Sequence, residues 1–183
     1  QVKLLRPPQM HERFRAVTWQ RTIVRAQYIR DTEFLSDSGE VLALCTANWF
    51  LVDPDTHRIR RPKDLPLYQT IPSYEKALSE EERITVHCPE EMQPAGVRRV
   101  RYSDMDYNHH LNNTRYAEFL CDFAPGGMQG QRLQEFKLVF SGEAVEGDEI
   151  EIFTALQGKR VIMRGRHARG RCFEASFTCC AAE

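Results

Sequence analysis

Residues 103–113, SDMDYNHHLNN, hold two acids, two histidines and three asparagines. Asp106, Asn108 and His110 stand two apart, and in extended backbone such residues point to one side. A helix is predicted immediately after them, so its unpaired N–H groups and positive dipole end would face the same place. A carbonyl oxygen turning into an oxyanion would be stabilised there. An imidazole moves protons near neutral pH, and a nearby carboxylate fixes its tautomer or activates a water. These are the parts needed to hydrolyse an ester or thioester. Plain capping competes with that reading, because Asp, Asn and His satisfy backbone groups in loops and helix starts. His109 and His110 are adjacent and diverge, so no metal site is expected.

The elements around this junction are read from hydrophobic period. Residues 13–19, 23–35 and 40–53 alternate as strands, with a turn at SDSG (36–39) and another at DPDTHR (53–58). Residues 64–96 carry four prolines and the acidic run SEEE (79–82), and read as a linker with one short helix near 73–82. Strand pattern resumes at 97 with VRRVRY. A helix is predicted over 113–124, with Tyr116, Phe119, Leu120 and Phe123 on one face and Asn112 or Asn113 as N-cap. APGGMQGQ ends it. Four antiparallel strands follow, in LQEFKLVFSGEA, DEIEIFTAL, VIMRGRH and RCFEASFTCC. Phe136, Leu138 and Phe140 share a face of the first, and Phe173, Ala175 and Phe177 a face of the last. The fold class is α+β. The arrangement is a double hotdog, a long helix wrapped by a curved antiparallel sheet, with the first hotdog incomplete. The first half (1–63) lacks its opening strand and helix, 64–96 is the linker, and the second (97–183) carries the junction.

Bulk properties bound the function. The chain has 183 residues, 42% hydrophobic and 28% charged, which suits a packed core. The longest apolar run, 41–52, is too short to span a membrane and is broken by Thr46 and Asn48. The opening QVKLLRPPQM has neither a signal-peptide pattern nor an initiator Met, which reads as a start inside a longer protein. Six cysteines without a C-x-x-C pair read as reduced, buried thiols of a cytosolic protein. The net charge of −1 is unevenly spread: residues 1–63 carry 11 Lys/Arg against 7 Asp/Glu (+4), and 64–96 carry 2 against 7 (−5). A net charge near zero and the lack of a recognition motif argue against nucleic acid.

DMDYNHHLNNTRYAEFL (104–120) resembles the second-hotdog signature of the acyl-acyl carrier protein thioesterases, a D-x-N-x-H-x-N-N core followed by a helix. Thr18–Trp19, then GEVLALCTANWFLVDPDTHRIRRP (39–62), resemble that family's first hotdog. EFKLVFSGEAVEGDEIEI (135–152) resembles the strand pair after its second helix. The resemblance implies catalytic roles for Asp106, Asn108, His110 and Glu143. Plant members often carry a cysteine beside the acidic position; Ala144 stands here, so a cysteine nucleophile at that place is excluded.

The implied activity is hydrolysis of fatty acyl thioesters on acyl carrier protein, without cofactor or metal. The carbonyl would sit near Asn112, Asn113 and Thr114, and Trp19, Trp49 and Phe50 would line an acyl tunnel. The acidic carrier protein would dock on Arg98, Arg99, Arg101 and Arg115, or on Arg58, Arg60, Arg61 and Lys63. A monomer or homodimer is expected. Hydrolysis of acyl-CoA, hydration or dehydration of an acyl thioester, and non-catalytic acyl binding stay open as alternatives.

Overall fold

The computed structural model describes residues 1–56, 58–62 and 84–182. The chain divides into two compact units, Gln1–Ile84 and Thr85–Glu183. Lys63 and the helix expected near 73–82 lie outside the described residues.

The first unit holds β1 (Val2–Leu4), β2 (Phe14–Val24), β3 (Gln27–Ser36), β4 (Val41–Val52) and β5 (Ile59–Arg60). They pair antiparallel in the order β2-β3-β4-β1, with β5 on β4. β2 runs on through the polar stretch Gln20–Thr22 that interrupts its sequence pattern. A bulge there skips Arg21 in the pairing with β3. Arg21 is buried, with Nη1 3.5 Å from Asp31 Oδ2, and Thr46 Oγ1 donates to Asp31 Oδ1 at 2.7 Å. A charge inside the sheet is thus met by a charge on the neighbouring strand, which hydropathy alone does not reveal. The expected SDSG turn closes with Gly39 N–H on Ser36 O (3.0 Å), Gly39 taking the left-handed φ of +86°. β1 and β5, of three and two residues, are too short to show alternation and escape the three-strand reading of this block.

The second unit holds β6 (Gln93–Arg99), a 3-10 turn at Tyr102–Asp104, helix α1 (Arg115–Asp122), β7 (Gln131–Phe140), β8 (Glu149–Gln157), β9 (Arg160–His167) and β10 (Gly170–Ala181). The sheet order is β7-β10-β9-β8-β6, antiparallel throughout. β6 starts at Gln93, inside the stretch read as linker. Pro94 is tolerated there because β6 is an edge strand. A bulge at Gly96 follows, with φ +152°, and a Cβ there would stand 2.7 Å from the Phe123 ring.

The long wrapped helix is not present among the described residues. α1 has eight residues, and Phe123 already leaves helical geometry two residues before Pro125. Its apolar face is as predicted: Tyr116, Phe119 and Leu120 are buried against Ile150, Ile152, Met163, Phe173 and Phe177 of the sheet. Phe173 pairs with Phe140, Ala175 with Leu138 and Phe177 with Phe136. Phe173 reaches the helix across Gly165, where a Cβ would stand 2.1 Å from its ring.

All six cysteines are free thiols. Burial pushes Cys88 and Cys172 up to about 11, and raises Cys45, Cys121 and Cys179. No helix of the described residues is long and apolar enough to cross a membrane.

Candidate active site

The junction is a turn, not extended backbone. Met105 and Leu111 form a bridge, and between them the chain reverses with Asp106 N–H on His110 O (2.8 Å) and His109 N–H on Asp106 O (3.1 Å). His109 takes a left-handed φ of +61° to allow it. Asp106 Oδ1 accepts from the amides of Asn108 (2.8 Å) and His110 (3.2 Å). The i, i+2 spacing that suggests a strand is therefore the signature of an Asx turn, in which a carboxylate caps its own loop.

Below the loop, Asp104 is buried and holds its base. Its Oδ2 accepts from Arg101 N–H (2.9 Å), closing the 3-10 turn. Its Oδ1 stands 3.2 Å from Arg98 Nη2 and 3.9 Å from Arg115 Nε. Arg98 also lies over the Phe119 ring. Asp104 O accepts from Asn112 N–H at 2.9 Å. This acid is unread in the sequence, since nothing in SDMD separates the structural carboxylate from the one two places on.

Glu143 arrives from the far side. Ser141 and Gly142 both donate to Cys172 O, at 2.9 and 3.3 Å. A Cβ on Gly142 would meet Arg171 O at 2.7 Å, so the S-G step allows β7 to leave the sheet in contact with β10. Ala144 O then accepts from Leu111 N–H at 2.7 Å, joining this segment to the loop. Glu143 Oε2 lies 3.2 Å from His110 Nε2, with the imidazole partly sheltered and the carboxylate 68% exposed.

Asp106, Asn108, His110, Asn113 and Glu143 line one cleft of about 410 Å³, walled by Tyr116 and Phe140. Tyr116 and Phe140 meet edge to face at 5.1 Å, and burial raises the Tyr116 phenol above its ordinary value. The four residues assigned to catalysis by resemblance thus border one space. The helix start is less open than expected. Asn112 Oδ1 accepts from Thr114 N–H (2.9 Å) and Thr114 Oγ1 (2.8 Å), and Asn112 O accepts from Arg115 N–H (2.9 Å). Those amides are occupied by the chain itself. The carboxamides of Asn108 and Asn113 border this cleft and can donate to an oxyanion there.

The other expected residues lie elsewhere. Trp19 is buried on β2, whereas Trp49 and Phe50 are 57% and 45% exposed. Consecutive on β4, these two project to opposite faces and do not line one surface. Of the expected docking arginines, Arg98 and Arg115 are engaged with Asp104, Arg115 also with Glu118 (2.6 Å). Arg60 is paired with Asp53. Arg58, Arg61, Arg99 and Arg101 are exposed.

Residues 90–170, a span containing the loop, α1 and Glu143, match the family model of the acyl-ACP thioesterase C-terminal domain. Over that span the chain is similar to the acyl-ACP thioesterase family. It is similar to the chloroplastic palmitoyl-acyl carrier protein thioesterase of Arabidopsis thaliana, at 24% identity over 129 residues. That alignment covers 67% of this chain but 31% of the plant protein, so the chain spans about a third of that relative. In structure it resembles an acyl-ACP thioesterase from Bacteroides thetaiotaomicron (TM-score 0.81, 21% identity, 97% of this chain and 73% of that one). It also resembles the 12:0-ACP thioesterase from Umbellularia californica (TM-score 0.78, 17% identity, 99% and 73%). These likenesses establish a hotdog-like fold, built here mainly from strands.

Proposed function

We propose that the chain hydrolyses fatty acyl thioesters of acyl carrier protein, releasing free fatty acid and the carrier thiol, and acts in the cytosol. The single observation that supports this is the His110–Glu143 pair at 3.2 Å in a cleft that also presents two carboxamides. In this reading the thioester carbonyl enters the cleft and accepts from the carboxamides of Asn108 and Asn113. Water bound against the His110–Glu143 pair attacks the carbonyl carbon, and its proton passes to the pair. The tetrahedral oxyanion stays hydrogen-bonded to the amides. Collapse re-forms the C=O bond and breaks the C–S bond, and the pair returns the proton to the leaving sulfur. Asp106 Oδ1 accepts from the loop amides of Asn108 and His110 and so fixes where His110 stands. Among the described residues no cysteine lines the cleft, which argues against a cysteinyl acyl-enzyme there and leaves attack by water or by a carboxylate.

The test is to incubate the full-length protein with saturated acyl chains on acyl carrier protein and on CoA, following free thiol and free acid. Equal yields of both, with the carrier substrate preferred, are expected. Thiol release from CoA alone moves the assignment to acyl-CoA hydrolysis. No thiol release from either substrate overturns hydrolysis, because hydration, dehydration and simple binding leave a saturated thioester intact.

A further inference from the structure

Glu143 presents a puzzle of placement. Its side chain is mostly exposed, so packing does not hold it against His110. Its position must come from its backbone. Leu111 N–H fixes Ala144 O, and Asp148 Oδ2 accepts from Val145 N–H at 2.8 Å. At Glu143 itself the carbonyl oxygen points to the β9–β10 turn. There His167, buried at 9% exposure, sets Nε2 at 3.0 Å from Glu143 O.

The proton on this ring is fixed by geometry. Arg169 N–H donates to His167 Nδ1 at 3.1 Å, so Nδ1 must carry a lone pair. The proton therefore sits on Nε2, and Nε2–H donates to Glu143 O. Arg169 reinforces the clip: Nη2 lies 3.4 Å from the same carbonyl, and the guanidinium forks onto Asp148, with Nη1–Oδ1 at 2.9 Å. A proton on Nδ1 would break the Arg169 amide bond, so the hydrogen bonds seen here are those of the Nε2–H ring.

We propose that His167 is a positioning residue for the thioesterase reaction, a neutral imidazole clip that places Glu143 opposite His110 through its backbone carbonyl. The inference rests on the catalytic reading of Glu143 given above. Misplacement of a catalytic group by about 1 Å costs up to roughly 100-fold in rate, so the clip is a rate-setting contact and not only a fold-setting one.

The test uses three variants of the full chain and one spectrum. His167→Phe keeps the ring's bulk and removes both hydrogen bonds; kcat should fall roughly 10- to 100-fold with KM little changed. His167→Gln keeps one donor and one acceptor and should recover most of that loss, which a purely steric role does not predict. Added to Glu143→Gln, His167→Phe should cost nothing further, because both act through one group. Nitrogen-15 spectra of the wild type at neutral pH should show the Nε2–H tautomer, a readout that does not depend on any variant folding. Wild-type kcat in His167→Phe while Glu143→Gln is impaired overturns this inference alone, as does an Nδ1–H or doubly protonated ring. Wild-type turnover in Glu143→Gln overturns the catalytic reading and this proposal with it.

Discussion

Glu143→Gln retains the length and shape of the side chain but replaces an acceptor oxygen with a donor. His110→Gln removes the imidazole proposed to shuttle protons. Both groups meet at 3.2 Å, yet neither is part of the buried core, the glutamate being mostly exposed. Each change should lower kcat by about 10²–10⁴-fold while leaving the thermal midpoint close to that of the wild type. Steady-state rates with saturating acyl carrier protein substrate, paired with calorimetry, check this; unchanged kcat in both variants removes the site. What was legible at this scale is uneven. The order D-x-N-x-H-x-N-N marks the loop, but the spacing argument for it was wrong, since the residues converge through a turn held by Asp106 Oδ1. Glu143 lies 33 residues from His110 in sequence, and only the resemblance brings the two together. Asp104, His167 and Arg169 went unread because their partners are backbone groups or side chains that sequence spacing does not bring together. The SDMD pair and the HARG hairpin held the signal.

At the scale of elements, the strands of the second unit were legible and the helix length was not. Alternating Phe, Leu and Ala along β7 and β10 follows the pleat, and the register Phe173↔Phe140 places those faces together. Helix α1 keeps its predicted face but stops at Asp122, since Phe123 turns away to pack beside Gly96. Glycine on a strand marks such close approaches. At Gly165 the Phe173 ring occupies the place of a side chain, on a central strand that neighbours hold on both sides. Gly165→Ala should cost about 3 kcal/mol through overpacking, visible as a lower denaturant midpoint, and a wild-type midpoint would contradict the packing described. The β7–β8 connection adds a pH effect. Hydrogen bonds from Arg169 hold the Asp148 carboxyl below its ordinary value, and the Val145 amide adds to this. A carboxyl depressed in the folded state stabilises at pH above its unfolded value, about 3.9, and that stability is lost as pH falls through the lower folded value. The wild type should therefore lose stability as pH drops below about 4, and Asp148→Asn should lose less over that range. Parallel pH profiles of the two midpoints would sink the assignment.

Across the whole molecule, net charge is close to zero, so attraction of an acidic partner must come from local arrangement. The sequence offers two arginine groups, and the structure separates their members. Arg98 and Arg115 stand on Asp104, and Arg60 on Asp53, so their charge is largely answered inside the fold. Arg99 and Arg101 are exposed at the end of β6 from which the Asp104 turn and the 105–111 loop depart. Under the proposed activity they are the charges positioned to meet a carrier protein. Exposed pairs act through water and are screened over about 8 Å at 0.15 M salt. Such contacts speed encounter more than they strengthen the bound state. Replacing Arg99 and Arg101 together by Glu should raise KM for the carrier-bound substrate at low salt, and the difference from wild type should shrink as salt increases. The kcat at saturation should stay unchanged, because neither residue lines the cleft. An acyl-CoA substrate lacks the acidic protein surface and should show a much smaller change. A KM for the carrier substrate that ignores both salt and the charge reversal would place carrier docking elsewhere on the chain, while leaving the His110–Glu143 chemistry untouched.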